Sequence, residues 1–251
     1  MLDNSTMKNF GLIGYPLSHS FSPDYFKNKF RLEGINADYK AYPLENIQDF
    51  KLLIRSMEFT GINVTIPYKE TVVPFIDNLD STSSAIGAVN TIKFHKGTSF
   101  GYNTDAYGFE MSLLNFITNP TDIKMALVLG SGGASKAVKY VLMKLRIKFR
   151  TVSRNSGTDL SYPEISQKIM EECNLIINTT PLGMYPNEQF KPQIPYQWLN
   201  ENYFLYDLIY NPEKTIFLSE GIAHGSKIKN GHDMLTLQAE KSWEIWNQQE
   251  M

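Results

Sequence analysis

The chain has 251 residues, of which 42% are hydrophobic and 13% aromatic, and its formal net charge is −2. This composition supplies a sizeable core and excludes a disordered, collagen-like or disulfide-scaffold protein. The near-neutral charge offers no field for holding nucleic acid or an anionic membrane surface, so neither partner is expected. The single cysteine, Cys173, excludes an internal disulfide, and the sequence shows neither a signal-peptide core nor an apolar run of membrane-spanning length. We therefore expect a cytoplasmic protein.

The first half of the chain alternates short apolar runs with helical patterns, which favours an α/β domain. Ser22 is the predicted N-cap of the first helix, with Pro23 at its first position. Residues 88–95 and 99–103 flank Lys96-Gly97-Thr98 and predict a β-hairpin. The other predicted elements of this half are strands at 10–14, 37–42 and 62–66 and helices at 23–32 and 45–57.

The character of the sequence changes at Asn119-Pro120-Thr121-Asp122, a turn-rich stretch that suits a linker. Beyond it, continuous apolar runs alternate with helical patterns, which is typical of a parallel sheet covered on both faces. The predicted elements are strands at 125–129, 147–152, 175–178 and 203–208 and a helix at 134–146. We expect an α/β protein of two domains with a cleft between them.

A glycine-rich loop, Gly130-Ser131-Gly132-Gly133-Ala134-Ser135, stands between a predicted strand and a predicted helix. The first glycine permits a tight turn, and the second lets the backbone approach a pyrophosphate bound at the helix start. The third small position is Ser135, where glycine or alanine is usual. A glycine pattern alone also fits a simple turn, but the strand–loop–helix order indicates a dinucleotide site.

Cofactor selectivity is decided at the end of the strand that follows the loop. NAD sites place Asp or Glu there to bind the ribose 2′-hydroxyl. Here Ser153-Arg154-Asn155 follows the strand, and the first acid is Asp159. Arg154 could pair with a 2′-phosphate through its planar guanidinium, the alternative being a solvated surface arginine. The pattern favours NADP over NAD.

Three polar segments of the first half follow predicted strands, at 14–20, 63–69 and 101–105. Grouped serine, threonine and asparagine side chains at strand ends indicate recognition of a hydroxylated small molecule. Pro67 is expected to open a helix with Lys69 in its first turn, where a positive charge opposes the helix dipole. A locally unfavourable charge suggests a functional lysine, although an exposed lysine without a role is the commoner case.

Eight segments carry a family resemblance over residues 10–246: GYPLSHSFSP (14–23), GINVTIPYK (61–69), GAVNT (87–91), GYNTD (101–105), LGSGGASKA (129–137), NTTPLGM (178–184), DLIYNPEKT (207–215) and NGHDMLTLQA (230–239). The chain resembles the shikimate dehydrogenases, oxidoreductases that reduce 3-dehydroshikimate to shikimate with NADPH in aromatic amino acid biosynthesis. The resemblance implies a substrate domain at residues 1–105 and 232–251, and an inserted, Rossmann-like NADP-binding domain at 106–231.

The resemblance also implies roles for individual residues. Lys69 and Asp105 would be the catalytic pair beside the reacting C3 oxygen. The carboxylate of the substrate would be held by Ser18 and Ser20, and the ring hydroxyls of the substrate by Thr65, Asn90 and Gln238. Tyr210 would contact the substrate on the side that faces the cofactor. The cofactor would contact Gly130, Ser131, Gly132, Gly133 and Ala134 through its pyrophosphate, Ser153 and Arg154 through its 2′-phosphate, and Leu208 and Gly231 through its nicotinamide.

Two positions depart from the family pattern. Members that strongly prefer NADP have a second basic residue soon after the position of Arg154, and His232-Asp233 replaces a small or apolar pair.

Two other functions stay open. One alternative is a quinate/shikimate dehydrogenase that uses NAD, and another is a non-catalytic, cofactor-sensing binding protein. The four histidines and Cys173 lack metal-ligand spacing, so no metal is expected. The chain is expected to be a monomer or a homodimer.

Overall fold

The computed structural model describes residues 7–17, 20–154 and 157–248. The described residues form two compact units. One comprises the residues up to Thr104 and those from Ala239 onward, and the other comprises Asp105–Gln238. Ser18, a predicted carboxylate ligand, lies outside the described residues.

The first unit contains a sheet of six strands in the order β2-β1-β3-β5-β6-β4. Strands β1, β2 and β3 are parallel, whereas β5 is antiparallel to both β3 and β6. The predicted hairpin is confirmed: β5 and β6 pair directly, with Lys96 and Gly97 at φ of 47° and 79° in the turn. The elements are β1 (Lys8–Gly14), α1 (Phe21–Glu33), β2 (Ala37–Pro43), α2 (Phe50–Ser56), β3 (Gly61–Val64), β4 (Asn78–Leu79), α3 (Ser81–Ile86), β5 (Thr91–His95) and β6 (Thr98–Tyr102).

Strand direction brings four chain segments to one edge of this sheet. The carboxyl ends of the parallel strands β1 and β3 share that edge, and the antiparallel strand β5 begins there. Strand β6 returns to the same edge, where Tyr102 pairs with Thr91. The residues that follow β1, β3 and β6 and those that precede β5 are therefore neighbours, although they are far apart in sequence.

An aromatic cluster completes the core of the first unit with residues from the end of the chain. The Phe10 ring lies 5.6 Å from the Trp243 ring and 4.7 Å from the Trp246 ring between centroids. The Trp246 indole N–H donates to the carbonyl of Ile92 at 3.0 Å. These contacts bury large apolar rings against β1 and β5, which fixes the last turns of the C-terminal helix in this unit.

The second unit contains a sheet of five parallel strands in the order β11-β10-β9-β7-β8, which confirms the predicted parallel sheet. Strand β7 has β8 on one side and β9 on the other, so the strand order reverses at β7. Ligands of such sheets bind at the carboxyl ends of the strands at this reversal. The elements are α4 (Thr104–Ile117), β7 (Ala126–Leu129), α5 (Gly133–Lys144), β8 (Phe149–Val152), α6 (Gln167–Glu172), β9 (Leu175–Asn178), β10 (Phe204–Asp207), α7 (Ile216–Ala223), β11 (Lys227–Lys229) and α8 (His232–Asn247). Helix α4 begins at the last residue of the first unit before the chain enters the second unit, and α8 begins in the second unit and ends in the first.

Two local predictions were wrong. Helix α1 begins at Phe21 and its N-cap is Ser20, so Ser22 lies inside the first turn. Pro23 is tolerated there because the first backbone N–H groups of a helix have no partner within it. No helix opens at Pro67, because residues 65–72 form turns rather than a continuous helical ladder.

Within the described ranges, no helix is long and apolar enough to cross a membrane. The same residues contain no group of three or more His, Cys, Asp or Glu side chains arranged to hold a metal ion.

Candidate active site

Thr65 lies at the shared edge of the first sheet, directly after β3. Its N–H donates to the carbonyl of Ile13 at 2.9 Å, and the N–H of Tyr15 donates to the carbonyl of Ile66 at 3.0 Å. These two bonds join the segments that follow β1 and β3. The first segment leads to Ser20, which is the N-cap of α1 and whose side chain makes no capping hydrogen bond. Both predicted substrate ligands therefore stand in loops that leave the same sheet edge.

Lys69 is half-buried in the turns that follow Thr65. The N–H of Val73 donates to the carbonyl of Glu70 at 3.2 Å. The Lys69 carbonyl, which Val73 would use in an α-helix, instead accepts from the N–H of Val89 at 2.7 Å. The helix-dipole argument for Lys69 therefore does not apply, but the contact with Val89 places Lys69 beside the segment that leads into β5.

Asn90 is 3% exposed and its side-chain amide is held by Thr104. The Asn90 Oδ1 accepts from the Thr104 N–H at 2.7 Å, and the Asn90 Nδ2 donates to the Thr104 Oγ1 at 2.9 Å. This paired contact defines which way the amide points. Asp105, the other member of the predicted catalytic pair, follows Thr104 in the chain and lies half-buried in the first turn of α4.

Gln238 is buried on α8, and its Nε2 donates to the carbonyl of Leu235 at 2.9 Å. The side chain is thus anchored to its own helix one turn upstream. Tyr210 is half-buried after β10, and burial raises the pKa of its hydroxyl.

The glycine-rich loop stands at the carboxyl end of β7, at the reversal of strand order. Gly130 has φ of 109°, a backbone region that favours glycine, and a Cβ there would lie 2.7 Å from the Thr179 Oγ1. Gly132 is the N-cap of α5 and has no side chain to cap it, and a Cβ there would meet no described atom within 4 Å. Space for a ligand therefore adjoins the first N–H groups of α5, which suits a pyrophosphate.

Ser135 occupies the third small position of the loop without disturbing the helix. Its side chain is fully buried, and the Oγ donates to the Gly132 carbonyl at 2.7 Å. This internal hydrogen bond satisfies the buried hydroxyl, so serine is accommodated where glycine or alanine is usual.

The residues after β8 lie next to the loop. The Ser131 and Ser153 hydroxyl oxygens are 3.1 Å apart, and the exposed Arg154 follows directly. Asp159, the first acid after this strand, accepts through Oδ2 from the Thr151 N–H at 2.7 Å. Asp159 is therefore engaged with the backbone of β8, and the residue directly beyond the Ser131–Ser153 contact is a cation.

Leu208, which follows β10, forms a close backbone contact with Gly231, which follows β11. A Cβ at Gly231 would lie 2.0 Å from the Leu208 carbonyl oxygen, so only glycine fits there. The Gly231 N–H donates to the Ile209 carbonyl at 3.0 Å. Together these contacts hold the two predicted nicotinamide-wall residues against each other.

A buried carboxyl anchors this segment. The Asp207 Oδ1 accepts from the Ile209 N–H at 3.1 Å and from the Asn178 Nδ2 at 3.0 Å, and Oδ2 accepts from the Thr215 hydroxyl at 2.6 Å. Burial raises the pKa of Asp207 to about 7, against the opposing effect of these three hydrogen bonds.

Two features escaped the sequence reasoning. Thr179 follows β9 and contacts the loop: its Oγ1 donates to the Leu129 carbonyl at 2.7 Å and would meet a Cβ at Gly130. Its place directly after a buried strand was the available signal. The second feature is a cluster of buried hydroxyls beneath Asn90 that includes Ser242, for which no sequence signal existed because its partners are distant in the chain.

The first part of the chain matches a family model described as the shikimate dehydrogenase substrate binding domain, over residues 12–92. Over nearly its full length, the chain is similar to a protein of Methanococcus maripaludis strain S2 named shikimate dehydrogenase (NADP(+)). The two are 38% identical over 97% of this chain and 93% of the relative.

The chain is also similar to solved structures of shikimate dehydrogenases. The shikimate dehydrogenase of Aquifex aeolicus is 33% identical, with a TM-score of 0.87 over 99% of this chain and 95% of that one. The shikimate 5-dehydrogenase of Thermus thermophilus, solved in complex with NADP(H) and shikimate, is 30% identical. Its TM-score is 0.84 over 96% and 94% of the two chains. On the strength of these matches along nearly its whole length, the chain belongs to the shikimate dehydrogenase family.

Proposed function

We propose that this chain catalyses the reversible, NADPH-dependent reduction of 3-dehydroshikimate to shikimate. The observation that carries the proposal is the pairing of two features in a member of this family. One is a polar sheet edge with Thr65, Lys69 and Asn90, inside the stretch that matches the substrate binding domain. The other is a glycine loop at the reversal of strand order, together with Arg154, rather than an acid, after the next strand, β8.

Two domains with separate roles are proposed, a substrate domain at residues 1–105 and 232–251 and an NADP-binding domain at residues 106–231. These ranges follow the two compact units except that Asp105 and residues 232–238 lie in the second unit. The match of residues 12–92 to a substrate binding domain supports the first role, and the parallel sheet with its glycine loop supports the second.

The residues after β7, β8, β10 and β11 fit a dinucleotide, because the space beside Gly132 admits a phosphate next to helix N–H groups that the N-cap residue does not cap with a side chain. Gly130, Ser131, Gly132, Gly133 and Ala134 would hold the pyrophosphate, Ser153 and Arg154 the 2′-phosphate, and Leu208 and Gly231 the nicotinamide. When bound, NADPH supplies the hydride that is added to the C3 carbonyl carbon of the substrate. The protein then has to stabilise the C3 oxygen and deliver a proton to it.

Lys69 is the proposed proton donor in reduction and proton acceptor in oxidation. Its ammonium stabilises the negative charge that develops on the C3 oxygen, and transfer of one proton to that oxygen gives the hydroxyl of shikimate. Asp105 is proposed to orient Lys69 and to accept a hydrogen bond from a substrate hydroxyl.

The remaining polar residues would select the substrate. Ser18 and Ser20 are proposed to hold the carboxylate, Thr65, Asn90 and Gln238 the ring hydroxyls, and Tyr210 the cofactor-facing side. That the Ser20 side chain makes no capping bond supports a ligand role for its hydroxyl.

The test is the initial rate of NADPH oxidation with 3-dehydroshikimate, measured beside NADH and beside 3-dehydroquinate. We expect turnover with NADPH and 3-dehydroshikimate, and little with the other combinations. Turnover of 3-dehydroquinate with NADH would assign the chain to the quinate/shikimate dehydrogenases instead. Folded protein that binds NADPH but turns over no combination would be a cofactor-sensing binding protein.

Two further properties belong to the proposal. A cytoplasmic location suits the single cysteine and the metabolic substrate. The protein is proposed to be a monomer or a homodimer, without a nucleic acid or membrane partner, and light scattering of the purified chain decides between the two states.

A further inference from the structure

Five polar side chains are packed together inside the first unit, where apolar side chains would be expected. They are Asn63 (4% exposed), Asn90 (3%), Thr91 (0%), Thr104 (1%) and Ser242 (0%). Asn63 lies in β3, Asn90 and Thr91 lie just before and at the start of β5, Thr104 begins α4, and Ser242 lies on the C-terminal helix α8. A buried polar group destabilises the fold unless it is hydrogen-bonded, so the contacts within this cluster decide its role.

Ser242 is the centre of the cluster. Its Oγ lies 2.7 Å from the Thr91 Oγ1, 3.2 Å from the Thr104 Oγ1 and 3.1 Å from the Asn63 Nδ2. The Asn63 Oδ1 accepts from the Tyr39 hydroxyl at 2.8 Å, so the Asn63 amide nitrogen is the group that faces the hydroxyls. One serine on the last helix thus connects to three separate segments of the first unit.

Thr104 connects Ser242 to Asn90 through hydrogen bonds. The Thr104 Oγ1 lies 3.2 Å from both the Ser242 Oγ and the Thr91 Oγ1, and it accepts from the Asn90 Nδ2 at 2.9 Å. Because the Thr104 N–H also donates to the Asn90 Oδ1 at 2.7 Å, the amide of Asn90 is held at both ends by one residue. The position of that residue is in turn defined by a hydroxyl on α8.

We infer that Thr104 and Ser242 are positioning residues for substrate binding. Their hydroxyls fix the side-chain orientation of Asn90, which the proposed function assigns to a ring hydroxyl of the substrate, and the inference rests on that function. A fully satisfied network of buried polar groups specifies one arrangement, whereas an apolar core of the same shape would leave the amide free to rotate. Neither residue contacts the cofactor in this proposal, so their loss should affect the substrate alone.

The test compares Thr104→Val, which keeps the shape but removes the hydroxyl, with Thr104→Ser, which keeps the hydroxyl. We expect Thr104→Val to raise the KM for 3-dehydroshikimate about tenfold, because the variant loses a buried hydrogen bond that orients Asn90. The KM for NADPH should not change, and Thr104→Ser should restore most of the substrate affinity. Ser242→Ala should raise the same KM about three- to tenfold. Calorimetric titration with shikimate should show the same order of affinities without turnover.

A matched control separates positioning from loss of stability. Ser83 is also fully buried in the first unit, and its Oγ donates to the Gly101 carbonyl at 2.9 Å, outside this cluster. Ser83→Ala should lower the thermal midpoint without changing the KM for 3-dehydroshikimate.

Three outcomes would overturn the inference. The first is unchanged substrate KM in folded Thr104→Val and Ser242→Ala, and the second is an equal rise in Thr104→Ser, which would assign the effect to packing. The third is a parallel change in the KM for NADPH. Failure of the proposed function is a different result, because then the wild-type protein itself does not turn over 3-dehydroshikimate. If Thr104→Val does not fold, the KM for 3-dehydroshikimate is compared between Ser242→Ala and Thr104→Ser. A rise in Ser242→Ala alone then supports the inference, and no rise in Ser242→Ala overturns it.

Discussion

The main-chain carbonyl of Lys69 accepts a hydrogen bond from the N–H of Val89 at 2.7 Å. This bond joins a turn to the segment that leads into β5, twenty residues later in the chain. Because Asn90 follows Val89 directly, the bond sets the spacing between a proposed catalytic residue and a proposed substrate ligand within one unit. A turn held in this way loses little conformational entropy on binding substrate, which favours precise positioning of the lysine.

Replacing Lys69 tests the proposed proton transfer. Lys69→Ala should lower kcat for 3-dehydroshikimate reduction by about 10²–10⁴, because the proton donor and its positive charge are both lost. The KM for 3-dehydroshikimate should change little. Steady-state kinetics check this, with Lys96→Ala in the exposed hairpin turn as a control that removes a lysine elsewhere in the same unit. A Lys69→Ala enzyme within tenfold of wild-type kcat would contradict the assignment.

Replacing Arg154 tests the choice of cofactor. Arg154→Ala should raise the KM for NADPH about 10- to 100-fold, because a charge-assisted hydrogen bond to the 2′-phosphate is lost. The kinetic constants with NADH should stay the same, since NADH lacks that phosphate and serves as the internal control. Equal losses with both cofactors would mean that Arg154 acts on the fold rather than on the phosphate.

Two glycines should respond differently to the same substitution. Gly132→Ala places its Cβ in open space, so the thermal midpoint should stay near that of the wild type while NADPH binding weakens by about tenfold or more. Gly231→Ala places its Cβ 2.0 Å from the Leu208 carbonyl, so the backbone must move and the thermal midpoint should fall. Fluorescence titration with NADPH and thermal unfolding measure the two effects. Unchanged NADPH affinity in Gly132→Ala would argue against a pyrophosphate site at this loop.

The buried carboxyl of Asp207 predicts a dependence of stability on pH. Burial raises its pKa from 3.8 to about 7, so between these values the folded protein holds a proton that the unfolded chain has lost. The contribution to stability is therefore complete below about pH 4 and is lost as the pH rises through about 7. Asp207→Asn cannot ionise and keeps nearly the same shape, and its amide nitrogen would donate to the Thr215 hydroxyl, from which the carboxylate of Asp207 accepts.

The measurement is the free energy of unfolding by denaturant at pH 5 and pH 8, for the wild type and for Asp207→Asn. The stability of the wild type relative to the variant should fall by roughly 1–3 kcal/mol between these pH values. Other titrating groups are common to both proteins and cancel in the comparison. A difference that is constant with pH, or that rises, would contradict a raised pKa for Asp207.

Patterns that act over a few residues were predictable from the sequence. Continuous apolar runs at 125–129 and 175–178 indicated buried parallel strands, and β7 and β9 occupy these positions. Lys96-Gly97 indicated a tight turn because glycine adopts positive φ, and the hairpin is present. The helix predicted at Pro67 failed for a tertiary reason: Val89 takes the Lys69 carbonyl that the helix would have needed.

The fold class, the family and the residue types of the candidate site follow from the amino-acid sequence alone, because these depend on local periodicity and on short motifs. Which of those residues are neighbours within a unit depends instead on how the folded chain packs. The edge shared by β1, β3, β5 and β6 depends on strand order and direction, and the link from Ser242 to Thr104 spans 138 residues. Contacts at that separation leave no periodic trace in the chain, since they arise only when packing of the whole unit outweighs the entropy of closing the intervening loop.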